Sequence, residues 1–409
     1  MTTLENEDAA ASQPGVSAPR AEPSKLLLTT LAAATGALAA NLYYAQPLIA
    51  SIAPEIGIGP GLAGTVVSVT QIGYGVGLFF LVSLTDLVES KRLVLLALAV
   101  TTLALVGEAV SGAAPLFFLS ALVVGLASTG AQVLVPFASH LAPPESRGRI
   151  VGNVMAGLLT GILLARPAAL FIASAFGWRA VFWASAALML VIAALLMRIM
   201  PPYRPRGGMS YGEILRSMAL LFRDIPVLRR RAAYQVLLFG AFNVFWTAAP
   251  LMLAERFGLS QQGIALFALA GAGGAFAAPV AGRLGDRGHA QIGTAVAAAV
   301  VGLSFLATIW TVSAGWLAVL VVVAVLLDAA AQGNQIFSQR ILFSLPAEIR
   351  GRINAAYMTV MFLGGAAGST LGAAAYHWGG WTTTALLGAL MGALALVLFA
   401  TEYAGRRVG

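Results

Sequence analysis

Asp328 and Arg166 are charged residues inside long apolar stretches of the sequence, where a charge needs a physical reason. An ionised carboxylate at the centre of a bilayer costs at least about 2.5 kcal/mol unless a partner or water compensates it. A carboxyl group in such a place can instead take up a proton and release it again. The sequence therefore predicts a proton-binding role for Asp328. The alternative is an acid that only ties helices together.

Arg166 carries a guanidinium group that effectively never loses its charge, so it needs an anion or water. Counted from the basic end of each stretch, Arg166 lies about 25 Å deep and Asp328 about 18 Å deep, at a rise of about 1.5 Å per residue. An arginine side chain can bridge that difference, which predicts a pair that forms in one conformation and breaks in another. Glu108, about 24 Å deep in the third stretch, is an alternative partner. A fixed ion pair or an outward-reaching side chain is the alternative role.

Amides and aromatic rings recur at helical spacing in four of the apolar stretches. Asn41 and Tyr44 are three residues apart in the first stretch, and Asn243 and Trp246 repeat this element in the seventh. Flat apolar surface with a few amides suits amphipathic organic molecules, whereas interhelical hydrogen bonding is the alternative explanation. The predicted lining on these two stretches is Asn41, Tyr44, Gln46, Gln235, Phe239, Phe242, Asn243 and Trp246. Polar side chains at helical spacing also occur in the fourth stretch, at Thr129 and Gln132, and in the tenth, at Gln332 and Gln335.

The composition indicates what must hold these residues in place. Hydrophobic residues make up 59% of the 409 positions, charged residues only 10%, and the mean hydropathy is +0.87, which excludes an ordinary soluble domain. Apolar stretches of about 20 residues recur along the chain, and only helices satisfy the backbone in lipid without closing a barrel. The sequence predicts an all-α membrane protein with twelve transmembrane helices, near 26–50, 62–85, 92–111, 115–141, 149–174, 179–200, 232–254, 262–283, 290–310, 315–341, 351–375 and 381–401.

The chain is a tandem duplication, because the segment Glu145–Ile150 returns almost unchanged as Glu348–Ile353. Two equivalent halves in an apolar chain predict two pseudo-symmetric six-helix bundles that move against each other. We expect the bundles at 26–200 and 232–402, joined by a basic cytoplasmic linker at 201–231. Residues 1–25 are predicted to be a disordered cytoplasmic tail, and 403–409 a short cytoplasmic tail.

The net charge of +8 follows the predicted topology. Basic residues concentrate on the side that holds both termini, so the positive-inside rule places the termini in the cytoplasm. The membrane topology therefore explains the excess of basic residues, and we expect no binding to nucleic acid. The chain has no cysteine, no histidine pair at metal-ligand spacing and no phosphate-binding glycine loop, so we expect no metal, no cofactor and no enzymatic activity.

Several local motifs resemble the major facilitator superfamily. Gly282–His289 is similar to its signature of a glycine, three residues, Asp-Arg, and then a glycine and a base. The counterpart Val82–Arg92 keeps Asp86 and the trailing bases but lacks the glycine and the following arginine. Asn41–Pro47, Gly157–Pro167 and Gly177–Arg179 are similar to bacterial drug and arabinose-type efflux permeases near the acriflavine-sensitivity branch.

The resemblance implies a secondary active transporter of the inner membrane that works by alternating access as a monomer among lipids. It implies proton-coupled export of a small amphipathic compound or drug through a cavity lined by the first, fourth, seventh and tenth helices. Thr129 and Gln132 of the fourth helix and Gln332 and Gln335 of the tenth would then belong to the lining. A facilitator or proton symporter for a sugar or organic acid is the alternative, and a non-transporting sensor or scaffold is a distant one. Glycine stripes in the fifth and eleventh helices would form the seam between the halves. The implied cytoplasmic gate residues are Asp86, Arg147, Asp286, Arg287 and Arg350.

Overall fold

The computed structural model describes residues 23–143, 145–204, 209–271, 273–274 and 277–407. No β-strand occurs among them, in agreement with the all-α prediction. The tail predicted for residues 1–25 lies outside the described residues up to position 22. Nine helices of the described ranges are long and apolar enough to cross a membrane. One of these contains two crossings, and the first and eighth crossings, which are interrupted helices, are not among the nine, so the total is the predicted twelve.

The first half contains the crossings one to six, of which the first and fourth are interrupted. Its helices are α1 (Lys25–Ala40), α2 (Ile49–Glu55), α3 (Thr65–Phe80), α4 (Ser90–Val110), α5 (Ala114–Ser128), α6 (Ala131–Leu141), α7 (Arg147–Phe176) and α8 (Trp178–Ile199).

The connecting segment and the second half follow. Their helices are α9 (Tyr211–Asp224), α10 (Pro226–Phe257), α11 (Gln261–Gly271), α12 (Ala277–Asp286), α13 (Ala290–Ser313), α14 (Leu317–Leu342) and α15 (Arg350–Arg407). The helix α15 holds the last two crossings, because the chain kinks at Gly379 and Gly380, where Gly380 has a φ of +63°.

Three boundaries differ from the sequence predictions. The first crossing is not one helix: α1 ends at Ala40, and the chain resumes as a 3-10 turn at Gln46–Leu48. Pro47 explains the break, because proline lacks an N–H group and its ring clashes with the carbonyl four residues earlier. The helix α10 begins at Pro226, inside the predicted linker, since proline suits a first helical turn. The helix α15 extends to Arg407, into the segment predicted as a tail.

The connecting helix α9 lies on the face of the molecule that holds both ends of the described chain. We call this side the basic face and the other side the opposite face. A capping box starts α9: the backbone N–H of Ser210 donates to Glu213 Oε2 at 2.7 Å, and Ser210 Oγ accepts from the N–H of Glu213. Ser210 Oγ also donates to Glu213 Oε2 at 2.9 Å. The two hydrogen bonds that the carboxylate accepts from Ser210, the backbone one first, lower the pKa of Glu213 below its usual value. Ile214 and Met218 are buried, as expected for an amphipathic surface helix.

The glycine stripes pack inside each half, which corrects the expectation that they form the seam. A Cβ atom at Gly161 of α7 would overlap the backbone of Gly36 of α1, and one at Gly368 of α15 would overlap Gly240 of α10. The two pairs occupy equivalent places in the repeat, because α1 with α7 matches α10 with α15. Close approach of these backbones therefore stabilises each bundle.

The seam between the halves is closed toward the opposite face, and two glycines at the basic face have open space beside them. The helix α3 packs along α15, with Ser68 Oγ donating to the carbonyl of Ala366 at 2.6 Å, and α7 packs against α11. At the basic face, no atom of the described residues outside the local helix backbone lies within 4 Å of the position that a Cβ of Gly152 in α7 or Gly282 in α12 would occupy.

Candidate functional site

Arg166 of α7 lies at the seam between the halves, about midway through the bundle, with only 7% of its surface exposed. Its Nε donates to Gln46 Oε1 at 2.9 Å. Its guanidinium carbon lies 4.9 Å from the ring centroids of Tyr43 and Trp246 and 5.3 Å from that of Phe242. A desolvated cation over an aromatic face gains about 2 kcal/mol or more, so three rings compensate much of this charge.

Trp246 of α10 joins Arg166 to Asp328 of α14. Its indole Nε1 donates to Asp328 Oδ1 at 2.7 Å, while the ring covers the guanidinium. The two charges attract each other across the seam, but no nitrogen of Arg166 reaches ion-pair distance from Asp328 in the described structure. In this conformation Arg166 and Asp328 do not form the predicted ion pair, and each of them instead contacts the indole of Trp246. Glu108 is buried elsewhere in the first half and is not a partner of Arg166.

Two glycines of the eighth crossing make room for this arrangement. A Cβ at Gly274 would overlap the side chain of Asp328, and one at Gly271 would lie 2.5 Å from the Trp246 ring. The smallest residue is therefore required where the indole and the carboxylate pack. A cavity of about 10 Å³ beside Arg166 is lined mostly by apolar side chains such as Pro47 and Phe267. It has room for about one water molecule, so the centre is closed to organic ligands in this conformation.

Buried amides and hydroxyls form a second cluster at the seam, which we call the seam lattice (Gln46, Gln71, Asn243, Thr247 and Ser369). Asn243 Oδ1 accepts from Gln71 Nε2 at 2.6 Å, from Gln46 Nε2 at 3.3 Å and from Ser369 Oγ at 3.4 Å. Gln46 Nε2 also lies 3.3 Å from Thr247 Oγ1. Residues from both halves thus share one neutral hydrogen-bond network.

Some predicted lining residues face their own half instead of the seam. Asn41 Oδ1 accepts from Ser185 Oγ of α8 at 2.7 Å. Tyr44 is half-buried beside the same serine. Gln235 Oε1 accepts from Asn334 Nδ2 at 2.7 Å inside the second half. The structure therefore does not bring these residues to Arg166 and Asp328.

Other predicted lining residues lie between the charged centre and the basic face. Gln332 and Gln335 are half-buried in α14, about one and two turns from Asp328 toward the basic face. Phe239 and Phe242 stack with ring centroids 5.5 Å apart. The remaining two predicted residues belong to the fourth crossing. Gln132 Nε2 donates to Tyr74 Oη at 3.0 Å, and Thr129 Oγ1 donates to the carbonyl of Leu126.

The predicted gate residues do not join the two halves in the contacts that the structure describes. Asp286 forms an exposed ion pair with Arg340 of its own half at 2.7 Å. Arg350 Nε donates to the carbonyl of Leu345 at 2.9 Å, also within the second half. Arg147 and Arg287 are exposed at the basic face, and the side chain of Asp86 lies outside the described part of the chain. A gate at this face stays a prediction for a conformation in which the halves meet there.

Comparison with known proteins decides the family. The family model described as Major Facilitator Superfamily matches residues 31–369 and 235–407. The chain belongs to the Major Facilitator Superfamily. The family predicted from the motifs is confirmed, and this superfamily member is a membrane-embedded transporter, not an enzyme.

Relatives of this superfamily member carry transporter names. It is 38% identical over 382 residues to the "Uncharacterized transporter YgaY" of Escherichia coli O157:H7, covering 93% of this chain and 96% of that protein. It is 34% identical over 399 residues to the "Probable transporter SCO4007" of Streptomyces coelicolor, covering 92% and 91%. The "Chloramphenicol resistance protein" of Streptomyces lividans is more distant, at 28% identity over 276 residues, covering 65% and 68%.

Solved structures with the same fold include other superfamily members. A bacterial homologue of the human lysosomal transporter Spinster, in an inward-facing unoccupied conformation, superposes with a TM-score of 0.70 at 14% identity over 92% of this chain and 96% of that one. A D-xylose-proton symporter has a TM-score of 0.70 at 18% identity, with 92% and 97% covered. At such identities the likeness shows the fold alone.

The structure adds residues that the sequence prediction missed. Tyr43 packs on Arg166, while Gln71, Thr247 and Ser369 complete the seam lattice. Gln71 could have been found as an amide in an otherwise apolar crossing, since a buried amide needs hydrogen-bond partners. Tyr43 could not, because helical spacing fails where the first crossing unwinds.

Proposed function

We propose that this superfamily member exports a small amphipathic organic compound in exchange for protons, by alternating access in the cytoplasmic membrane. The positive-inside rule supports a cytoplasmic position for the basic face and both termini. The described conformation, in which the seam is closed toward the opposite face, then corresponds to a state that is closed to the outside of the cell.

The observation that carries this proposal is the contact of Arg166 and Asp328 with one indole, because the two charges come from opposite halves. A negative Asp328 attracts Arg166 across the seam, and protonation removes that attraction. Proton binding therefore changes the relative free energy of the joined and separated arrangements, which is the requirement for coupling.

The surroundings of the centre support an amphipathic substrate. Stacked Phe239 and Phe242 offer flat apolar surface on the side of the basic face, and Gln332 and Gln335 offer amides there. The name of the Streptomyces lividans relative, a chloramphenicol resistance protein, favours export of a compound of this kind.

Proteoliposomes that contain a pH-sensitive dye test the proposal. With a panel of aromatic compounds that includes chloramphenicol, we expect substrate-dependent proton flux that Asp328→Asn abolishes while substrate binding survives. Glu108→Gln is the matched control, because Glu108 is also a buried acid but does not contact the seam centre. Proton flux that persists unchanged in Asp328→Asn would contradict the coupling role.

Proton symport of an organic acid is a second candidate, favoured by one observation. Arg166 Nη2 is buried and makes no hydrogen bond with the described residues, so it is available to an anionic group. With one fixed cation and one acid, the centre is neutral when empty and neutral again when a proton and an anion bind together. Neutral states are favoured in a low-dielectric site.

The direction of proton movement separates the two candidates. Benzenesulfonate added outside dye-loaded vesicles would acidify the lumen under symport, because proton and anion enter together. In proton exchange the pH change is opposite: a substrate that enters the vesicle drives protons out, so the lumen becomes alkaline. Arg166→Gln should abolish the response to benzenesulfonate only under the symport alternative.

A further inference from the structure

The internal repeat places an asparagine at equivalent positions of the first and seventh crossings, yet the two copies have different surroundings. Asn41 makes its short hydrogen bond to Ser185 within the first half. Asn243 is fully buried at the seam and contacts residues of both halves. The same residue type therefore has a local contact in one copy and a cross-seam contact in the other.

The carbonyl oxygen of Asn243 accepts hydrogen bonds from three donors. Gln71 of α3, at 2.6 Å, and Gln46 of the first crossing, at 3.3 Å, belong to the first half. Ser369 of α15, at 3.4 Å, belongs to the second half. Asn243 Nδ2 donates to the carbonyl of Phe239 at 2.9 Å, one turn earlier, which directs Oδ1 toward the first half.

These hydrogen bonds must break if the halves separate toward the opposite face. The lattice is neutral and excluded from solvent, so its hydrogen bonds form in a low dielectric and leave costly unpaired groups when they break. The charged centre adjoins this lattice, because Arg166 Nε holds Gln46 Oε1 while Gln46 Nε2 points to Asn243. Gln46 thus contacts both the charged centre and the seam lattice.

We propose that Asn243 is a positioning residue that keeps the seam closed toward the opposite face, acting as the shared acceptor of donors from the first half. This role goes beyond the proposed proton-coupled export. It holds for any substrate and any coupling ion, because it depends only on contacts between the halves.

The absence of cysteine from the native chain allows a direct measurement of this gate. Spin labels at Ala113→Cys and Gln262→Cys occupy exposed sites near the opposite face, one on each half. Electron-electron double resonance then gives the distance distribution between them in detergent, without substrate and without a proton gradient. Wild-type protein should show mainly the short distance of the closed seam.

Asn243→Ala should raise the population of a longer distance by about fivefold or more, because it removes the shared acceptor of several hydrogen bonds. Asn41→Ala is the matched control from the repeat, since it removes the same amide but only a contact inside one half, and it should leave the distribution unchanged. A distribution for Asn243→Ala equal to that of the wild type or of Asn41→Ala would overturn the proposal.

Gln71→Ala provides a second variant in case Asn243→Ala fails to fold. It removes the shortest bond of the lattice without altering Asn243, so it should also populate the longer distance. The double variant should populate the longer distance little more than Asn243→Ala alone, because both substitutions remove the same hydrogen bond. Fully additive shifts would contradict a common acceptor.

Loss of proton flux in Asp328→Asn is a separate result, so either proposal can fail without the other.

Discussion

Trp246 holds the charged centre together through two different properties of one side chain. Its ring face stabilises the guanidinium of Arg166, and its edge donates a hydrogen bond to Asp328. Both charges were predictable, because charged residues in apolar stretches are visible in the sequence. The indole between them was not, since sequence spacing predicted Trp246 only as part of a substrate lining. Which side chain lies between two charges depends on tertiary packing, here on the space left by Gly271.

Replacing Trp246 by phenylalanine tests the hydrogen-bonding property alone. The ring remains over Arg166, but Asp328 loses a donor, and a hydrogen bond to a charged group contributes about 1.5–3 kcal/mol. We expect proton-coupled flux of Trp246→Phe to fall by about tenfold or more with the protein still folded. Trp381→Phe is the control, because the Trp381 Nε1 is buried without a partner among the described residues. Equal effects of both substitutions would contradict a specific role for the indole N–H.

At the scale of helices, the sequence predicted the twelve crossings and the surface helix α9 but not which helices the glycine stripes contact. A four-residue repeat of small residues shows that a helix approaches a neighbour closely, and it does not show which neighbour. In the structure, each stripe contacts the first crossing of its own half. Gly161 lies against Gly36, and Gly368 lies against Gly240 at the equivalent place of the repeat. The unwinding around Pro47 was also missed, since hydropathy alone does not distinguish a bent helix from a broken one.

Substitution of the glycine stripe should therefore affect folding of one half. Gly161→Ala places a methyl group against the backbone of Gly36, and such overpacking costs about 1–3 kcal/mol. We expect a lower melting temperature in detergent. Gly152→Ala on the same helix is the control, because open space surrounds that position. A melting temperature of Gly161→Ala that equals that of Gly152→Ala would refute the packing assignment.

The capping box of α9 predicts a dependence on pH. Hydrogen bonds from Ser210 lower the pKa of Glu213. The carboxylate therefore stabilises the start of α9 fully at pH values above its usual pKa. This stabilisation is lost as the pH falls through the lowered pKa of Glu213 in the folded protein. Hydrogen exchange of residues 211–215 should be faster in Glu213→Ala than in wild type at pH 7. The difference should disappear at strongly acidic pH, where the wild-type carboxyl is protonated as well. A difference that is independent of pH would exclude the charged cap.

At the scale of the whole molecule, the two halves are joined toward the opposite face, and Gly152 and Gly282 at the basic face have open space beside them. We propose that an ionised Asp328 favours this arrangement, because it attracts Arg166 across the seam, next to the lattice around Asn243. Protonation of Asp328 should favour the reverse arrangement, in which the basic face closes. In the mechanism we propose, the duplication supplies the symmetric frame for this motion, and the two charges that break the symmetry make it depend on protons.

Distance measurement between spin labels at Gly152→Cys and Gly282→Cys, on the basic face, tests this claim most directly. These positions belong to different halves and have open space around them. We predict a long distance at alkaline pH and a growing short-distance population as pH falls, because protonation of Asp328 weakens the attraction to Arg166. In Asp328→Asn, which cannot ionise, the short distance should dominate at every pH. A pH-dependent shift that persists unchanged in Asp328→Asn would contradict the account.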